Sequence, residues 1–326
     1  MNEKAKTYPD FKKICVNDHL TLSLGEAGKT VDAIKRTEKV SKVIMTALTY
    51  LFILALAVIV VFPFYWMIIT SLKQNEEIRG AVQTFFPTIV MWSNYVHVFQ
   101  VFDFGTYMWN TIVVAFFSTA GTLLTTILAA FAFSRLKFKG RDAVFAVFLM
   151  TMMIPGEMMV ISNYITVASF GWIGQGQTLT QAYLAMIVPF IVSVFYIYLL
   201  RQNFKQIPNE LYLAAKVDGK SDWSYLWKVL VPIAMPTLIT ITILSFISSW
   251  NSYVWPSLSV YNDDYNVISV IIRGNALQIQ GPSGEMVTNP AWQMTAAVLT
   301  VLPILILFIA FRKYIMSGTG RSGIKG

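Results

Sequence analysis

Pro208–Ser224 reads PNELYLAAKVDGKSDWS, a polar and charged stretch between two long apolar segments, and the chain then runs on to Val229-Leu230-Val231-Pro232. The spacing is Ala214-Ala215, three residues, Gly219, nine residues, then V-x-V-P. Pro208 can hold a first helical position, where its missing N–H costs nothing. Glu210, Leu213 and Ala214 share one helical face by their i, i+3, i+4 spacing. Ala214 and Ala215 favour helix and present little bulk, so a short helix built on them can sit deep in a partner's cleft. Asp218-Gly219 ends that helix, because glycine adopts positive φ without strain. Ser221 or Asp222 then caps a second helix, which leads through Trp223 and Tyr225 into the next apolar segment. A helix–turn–helix lever of this kind is suited to carry a partner's motion into a membrane.

Composition points the same way. Hydrophobic residues make up 56% of the 326 residues and charged ones only 13%, against roughly a quarter charged in a soluble domain. A mean hydropathy of +0.58 is too apolar for one water-soluble core. The single cysteine, Cys15, excludes a disulfide framework within the chain. His19 and His97 lie far apart, and no Cys/His cluster has metal-ligand spacing.

Six apolar stretches follow one another: residues 44–71, 107–134, 143–167, 182–200, 229–250 and 294–311. Each reaches the ~17–25 residues that a helix needs to cross hydrocarbon. Helix is the form expected, since a span must satisfy its own backbone in lipid. The first stretch is too long and starts too late for a cleavable signal peptide. Of the 25 lysines and arginines, only Lys73, Arg79 and Arg273 fall on one side of this topology; the rest lie before the first stretch, between the second and third, between the fourth and fifth, and after the sixth. The positive-inside rule then puts both termini in the cytoplasm. It also accounts for the net charge of +8 without nucleic acid, because the basic residues are spread over four juxtamembrane segments.

The remaining segments are expected to be less ordered in role. Residues 72–106 carry Trp92, Tyr95, Phe99 and Phe102, and residues 251–293 are polar; both suit short interfacial helices or a docking surface, with the aromatics as membrane-interface anchors. Ser23–Thr30, SLGEAGKT, ends like a phosphate-binding loop, but Ser23 stands where the first glycine is needed. About 40 residues also cannot supply the α/β domain such a loop requires. The tail is read as flexible or partly helical, and the energy source must be another chain.

With these motifs in hand, the chain resembles ABC importer permeases of the carbohydrate-uptake type, closest to the smaller six-span permease of maltose-type importers. That family carries E-A-A, three residues, G, nine residues, I-x-L-P in its cytoplasmic coupling loop. Further matches are Pro63-Phe64-Tyr65-Trp66 to Ser71-Leu72-Lys73, Asn110-Thr111, Ala132-Phe133-Ser134-Arg135, Met153-Ile154-Pro155, Trp250-Asn251 and Trp255-Pro256. The tail Gly318–Gly326 resembles the family's G-x-x-x-G-A-V-K-G. The resemblance covers about residues 44–326. It implies an all-α membrane protein with six transmembrane helices and the ABC type I importer permease architecture. Residues 1–43 would be a cytoplasmic tail, 44–316 the permease domain with a coupling loop at 201–228, and 317–326 a second cytoplasmic tail.

The implied partners are a second permease subunit, a cytoplasmic ABC ATPase dimer and an extracellular solute-binding protein, in the bacterial cytoplasmic membrane with a sugar as cargo. No cofactor is expected in this chain, ATP being bound by the partner subunits. Glu210, Leu213, Ala214, Ala215, Asp218 and Gly219 would engage the ATPase, and Arg321 and Lys325 would make the tail's contact with it. One position departs from the family: the glutamate of E-A-A is Leu213 here, so ion pairing there is impossible. Either Glu210, on the same face, substitutes, or the partner's pocket is apolar.

Intramembrane polar groups mark a path. Glu157 is the only acid inside an apolar stretch, where it either lines a path or makes a structural hydrogen bond or meets interface water, and Trp250, Asn251 and Tyr253 cluster where the fifth stretch ends. Aromatic faces with an amide suit sugars, although interfacial packing explains them equally well. Gly121, Thr125 and Ala129 form a small-residue stripe that suits helix packing. Two other classes remain as alternatives: an ATP-independent secondary carrier, which expects internal repeats and buried coupling charges, and an ABC permease for amino acids or peptides.

Overall fold

The computed structural model describes residues 18–101, 103–274, 277–280 and 285–319. Contacts divide the chain into two compact units, 1–65 and 66–326. The first holds helix α1 (Asp18–Ser71) as far as Tyr65. Ser23–Thr30 lies within α1 as helix, so the phosphate-loop-like letters form no loop.

The second unit takes α1 from Trp66 onward, followed by short helices α2 (Asn75–Arg79) and α3 (Ser93–Val101). Then come α4 (Phe104–Arg135), α5 (Arg141–Thr151), a 3-10 turn (Gly156–Met159), α6 (Val160–Ser169), α7 (Leu179–Ile187) and α8 (Val194–Gln206). The polar loop supplies α9 (Glu210–Val217) and α10 (Asp222–Tyr225), followed by a π turn (Leu226–Leu230), α11 (Val231–Ile233) and α12 (Met235–Trp250). Helices α13 (Val254–Ser259) and α14 (Ile268–Arg273) precede two three-residue strands, β1 (Gln278–Gln280) and β2 (Met286–Thr288), which pair antiparallel with Ile279 opposite Val287. Helix α15 (Pro290–Thr319) ends the described chain.

Three helical segments are long and apolar enough to cross a membrane unbroken: Lys39–Ser71, Phe104–Arg135 and Pro290–Arg312. The other three apolar stretches are pairs of helices, bent by 91° between Thr151 and Gly156, by 50° between Phe190 and Val194, and by 80° between Ile233 and Met235. A proline stands at or beside each break: Pro155, Pro189 and Pro236 lack the N–H that would continue the ladder. Counting each pair as one span gives six.

Within the second unit, helix α4 packs chiefly against α12 and α8, and also against α14 and α7. Its Ile127 and Phe131 meet Leu200, Phe204, Leu226, Leu230 and Ile241 in the largest buried cluster. Near its start, Asn110 donates to the carbonyls of Asp264 and Asn266, both at 3.1 Å, and accepts from the Tyr183 hydroxyl at 2.6 Å. The Thr111 hydroxyl accepts from the N–H of Ile268 at 2.9 Å. The polar pair that opens the second span therefore ties down the segment between the fifth and sixth.

The small-residue stripe of α4 faces the break after Phe190. Thr122 donates to the Phe190 carbonyl at 3.4 Å and Thr125 to the Ile191 carbonyl, which meets two acceptors freed by the bend. A Cβ placed on Gly121 would lie 2.8 Å from Cγ2 of Ile191. We expect Gly121→Leu to cost about 1–3 kcal/mol through overpacking, with Gly121→Ala in between. The check is the thermal midpoint of the detergent-purified full chain; equal midpoints for all three would mean that the backbones are not held this close.

Candidate functional site

The polar loop folds as a capped helix pair. Asn209 stands at the N-cap position of α9, so Pro208 lies two residues before the first helical residue, Glu210, and not at that first position as expected from sequence. The Asn209 side chain makes no cap, because its Oδ1 accepts from Arg135 at 3.2 Å. At the other end, the N–H of Lys220 donates to the Ala215 carbonyl at 2.9 Å and that of Gly219 to the Lys216 carbonyl at 3.1 Å. This is a Schellman stop, and Gly219 takes the left-handed φ of 71° that it requires. Ser221 caps α10 by accepting from the Ser224 N–H at 3.2 Å.

Two faces of α9 do different work. The inner face carries buried Ala215 and half-buried Tyr212, whose ring lies 5.0 Å from that of Tyr225. The outer face carries Glu210, Leu213, Ala214 and Val217, all exposed, Leu213 at 56% and Val217 at 88%. Asp218 and Gly219 are exposed beside them, and Trp223 of α10 is exposed as well. The pair is fastened by Asp222, which accepts from Lys216 Nζ at 2.8 Å and from the Tyr212 hydroxyl at 2.7 Å. The hydrogen bond to Asp222 raises the Lys216 pKa, while burial and then the bond to Asp222 raise that of Tyr212.

Two arginines seat this loop on the bundle. Arg135, at the last turn of α4, is buried and donates to the carbonyls of Phe204 and Ile207, both at 2.7 Å. A cation there satisfies the orphan acceptors at the end of α8 and complements its dipole. Arg201 of α8 returns the contact, donating to the Phe133 carbonyl at 3.1 Å, with its guanidinium 3.8 Å over the Phe145 ring and 3.6 Å from Asp142.

A cavity of about 830 Å³ opens in the second unit. Glu157, from the 3-10 turn after the third-span break, lines it, as does Tyr253. Trp250 does not: it is only 1% exposed and its ring stacks on Phe246 at 5.6 Å. Asn251 is exposed and donates to the Ile247 carbonyl at 3.0 Å, closing α12. Trp255 joins the lining while its indole N–H donates to the Ala185 carbonyl at 2.9 Å. Arg321 and Lys325 lie outside the described residues.

Residues 121–320 match the family described as binding-protein-dependent transport system inner membrane component. The chain belongs to this family. It is 30% identical over 259 residues to the lactose transport system permease protein LacG of Rhizobium radiobacter, covering 79% of this chain and 89% of that protein. The trehalose/maltose transport system permease protein MalG of Thermococcus litoralis is also 30% identical, covering 83% of this chain and 94% of its own length. A solved bacterial ABC transporter involved in import of the acidic polysaccharide alginate has a chain of the same fold, with a TM-score of 0.73 at 23% identity, covering 84% of this chain and 98% of that one. The protein is thus a multi-pass permease with the ABC importer fold.

Sequence reasoning passed over Val217 and Trp223 as surface candidates and over the seating role of both arginines. Val217 was signalled by its place seven residues after Glu210. Arg135 gave only a weak signal, as the first charge after an apolar run. Replacing it should free the loop without unfolding the spans. We expect Arg135→Ala to leave carbonyls unsatisfied, costing about 1–3 kcal/mol, and Arg135→Lys to restore only part. Limited proteolysis of the full chain in detergent should show faster cleavage within residues 205–222 at an unchanged helical circular-dichroism signal; an unchanged cleavage rate would overturn the seating role.

Proposed function

We propose that this permease is one half of the transmembrane pathway of an ATP-driven carbohydrate importer, and that it performs no chemistry itself. The observation that carries this reading is α9, an eight-residue helix between two spans with an exposed stripe that the chain leaves uncovered. Such a stripe fits a groove on a separate ATPase. A second permease would complete the pathway, and the family's dependence on a binding protein supports an external solute-binding protein that delivers the cargo. The basic residues before the first span, around α9 and after the sixth support a cytoplasmic location for the termini and the coupling loop. The relatives named for lactose and for trehalose or maltose support a saccharide as cargo.

In this reading ATP binding closes the two ATPases and draws α9 inward. The Schellman stop and the Lys216–Asp222–Tyr212 cluster keep α9 and α10 moving as one body. Arg135 and Arg201 pass the displacement to α4 and α8, and the cavity turns outward to receive the sugar. ATP is bound by the partner chains, and this chain needs no cofactor of its own.

The reading is tested by reconstituting the complete importer in proteoliposomes. Gly219→Pro, which cannot adopt the left-handed stop, and Ala214→Glu, which enlarges the outward face, should abolish saccharide-stimulated ATP hydrolysis while the spans still assemble. Wild-type stimulation in both variants would sink the coupling role.

Glu210 stands on the same outward stripe as Leu213 and is expected to replace the family's glutamate. Glu210→Ala should weaken ATPase attachment by about tenfold or more, the scale of a charge-assisted contact in a cleft, and Leu213→Glu should be tolerated. Unchanged co-purification of the ATPase in high salt would instead mean that Leu213 enters an apolar pocket. For the tail, deletion of Ser322–Gly326 should lower transport and ATP hydrolysis at equal membrane abundance, since Arg321 and Lys325 are expected to reach between the ATPase subunits. Full transport by the truncated chain would reduce the tail to a terminus.

A further inference from the structure

The wall of the 830 Å³ cavity is unusual in its hydroxyls. Ser245, Ser248, Ser249 and Ser252 recur at helical spacing along and just past α12, and Ser118 faces them from α4. In a membrane helix a hydroxyl is ordinarily hidden by donating to the carbonyl four residues back. Thr240 and Thr242 of the same helix do this, at 3.0 Å and 2.8 Å, and so do Thr295 and Thr300 of α15, both at 2.8 Å. Among the described residues the hydroxyls of Ser118, Ser245, Ser248 and Ser249 make no hydrogen bond, so they remain free to face the cavity. Glu157 shares the lining, and among the described residues its carboxylate has neither a hydrogen bond nor an ion pair. Among the described residues no lysine or arginine lines the cavity; Arg273 stacks 4.5 Å over the Tyr253 ring without joining the lining.

Free hydroxyls offer both donors and acceptors to a polyhydroxylated ligand. A lone carboxylate accepts from sugar hydroxyls and repels anions. We propose that Glu157 is a specificity-determining residue that makes this wall admit uncharged saccharides and reject acidic ones, with Ser118, Ser245, Ser248 and Ser249 as its hydrogen-bonding surface. The proposal rests on the carbohydrate-import reading above and narrows its substrate class.

The test uses the complete importer in proteoliposomes, carrying Cys15→Ser and Ser248→Cys so that the one cysteine lies in the cavity. Its modification rates by a cationic and an anionic methanethiosulfonate of similar size report the local potential without any need for the binding protein. The cation-to-anion rate ratio is expected to fall by about tenfold on Glu157→Gln, the scale of one nearby unit charge at intermediate dielectric. An uncharged maltooligosaccharide should slow labelling in the Glu157 protein, whereas an oligouronate of equal length should slow it only in Glu157→Gln. An unchanged ratio, or equal protection by both sugars in the Glu157 protein, would overturn the proposal. A ratio that shifts while no saccharide is taken up or protects would uphold anion rejection and overturn the carbohydrate reading instead.

Discussion

Inside hydrocarbon, a backbone N–H or carbonyl that leaves its helix must find a partner within the protein. The whole bundle answers to that constraint. Three of its apolar stretches are broken, and each break sets free polar groups that an unbroken helix would have paired. At the third-span break the chain tightens, with Met152, Met153 and Ile154 each donating three residues back. At the fourth-span break the solution is tertiary, since Thr122 and Thr125 of α4 supply hydroxyls to the carbonyls of Phe190 and Ile191. That solution works only if α4 comes close, which is what Gly121 permits. The breaks also have a use: Gly156 and Glu157 from one, and Phe190, Val192 and Ser193 from another, lie around the same cavity. An unbroken bundle would have filled that space with its own side chains.

The second consequence concerns how force reaches the cavity in the proposed importer. Helix α4 has 32 residues, or about 48 Å at the usual rise, and it is straight enough to count as one span. It carries Arg135 at one end, Ser118 and Thr122 on the cavity wall, and Asn110 and Thr111 at the other end. The ends are bonded to the coupling loop and to the segment after Asp263, and the middle to the broken fourth span. A push on α9 therefore meets a stiff element through charge-assisted hydrogen bonds, which tolerate little slip. The reciprocal bond from Arg201 to Phe133 stops α4 and α8 from sliding past each other.

How far the sequence foretold this depends on where each feature's cause lies. The spans were legible because hydropathy is a property of side chains, counted one by one. The helix stop at Asp218-Gly219 was legible because only glycine sits comfortably at φ 71°. The bends were not read, although Pro155, Pro189 and Pro236 were in view, because proline inside a span can also be absorbed, as Pro303 is within α15. The aromatic cluster at the end of the fifth stretch was half legible. Trp250 and Tyr253 are three residues apart, yet the helix ends between them, so one ring is buried against Phe246 and the other reaches the cavity. The serine row on α12 was present in the letters and passed for part of an apolar run, because whether a hydroxyl bonds its own helix is decided by rotamer and neighbours. The seating role of Arg135 depends on the end of α8 coming within reach, and no local pattern encodes that.

The outward face of α9 joins two kinds of interaction that respond differently to conditions. Leu213, Ala214 and Val217 bring apolar surface, whose burial is non-directional and little affected by salt. Glu210 adds one charge, which fixes orientation and weakens as salt screens it. With leucine at position 213, this face is mostly apolar. A face of this kind needs rigidity to be specific, since apolar contact alone tolerates sliding. The Schellman stop, the Ser221 cap and the shared acceptor Asp222 supply that rigidity from within the loop. In the proposed importer a largely apolar face could therefore still dock specifically on the ATPase, because the loop's shape is set from within.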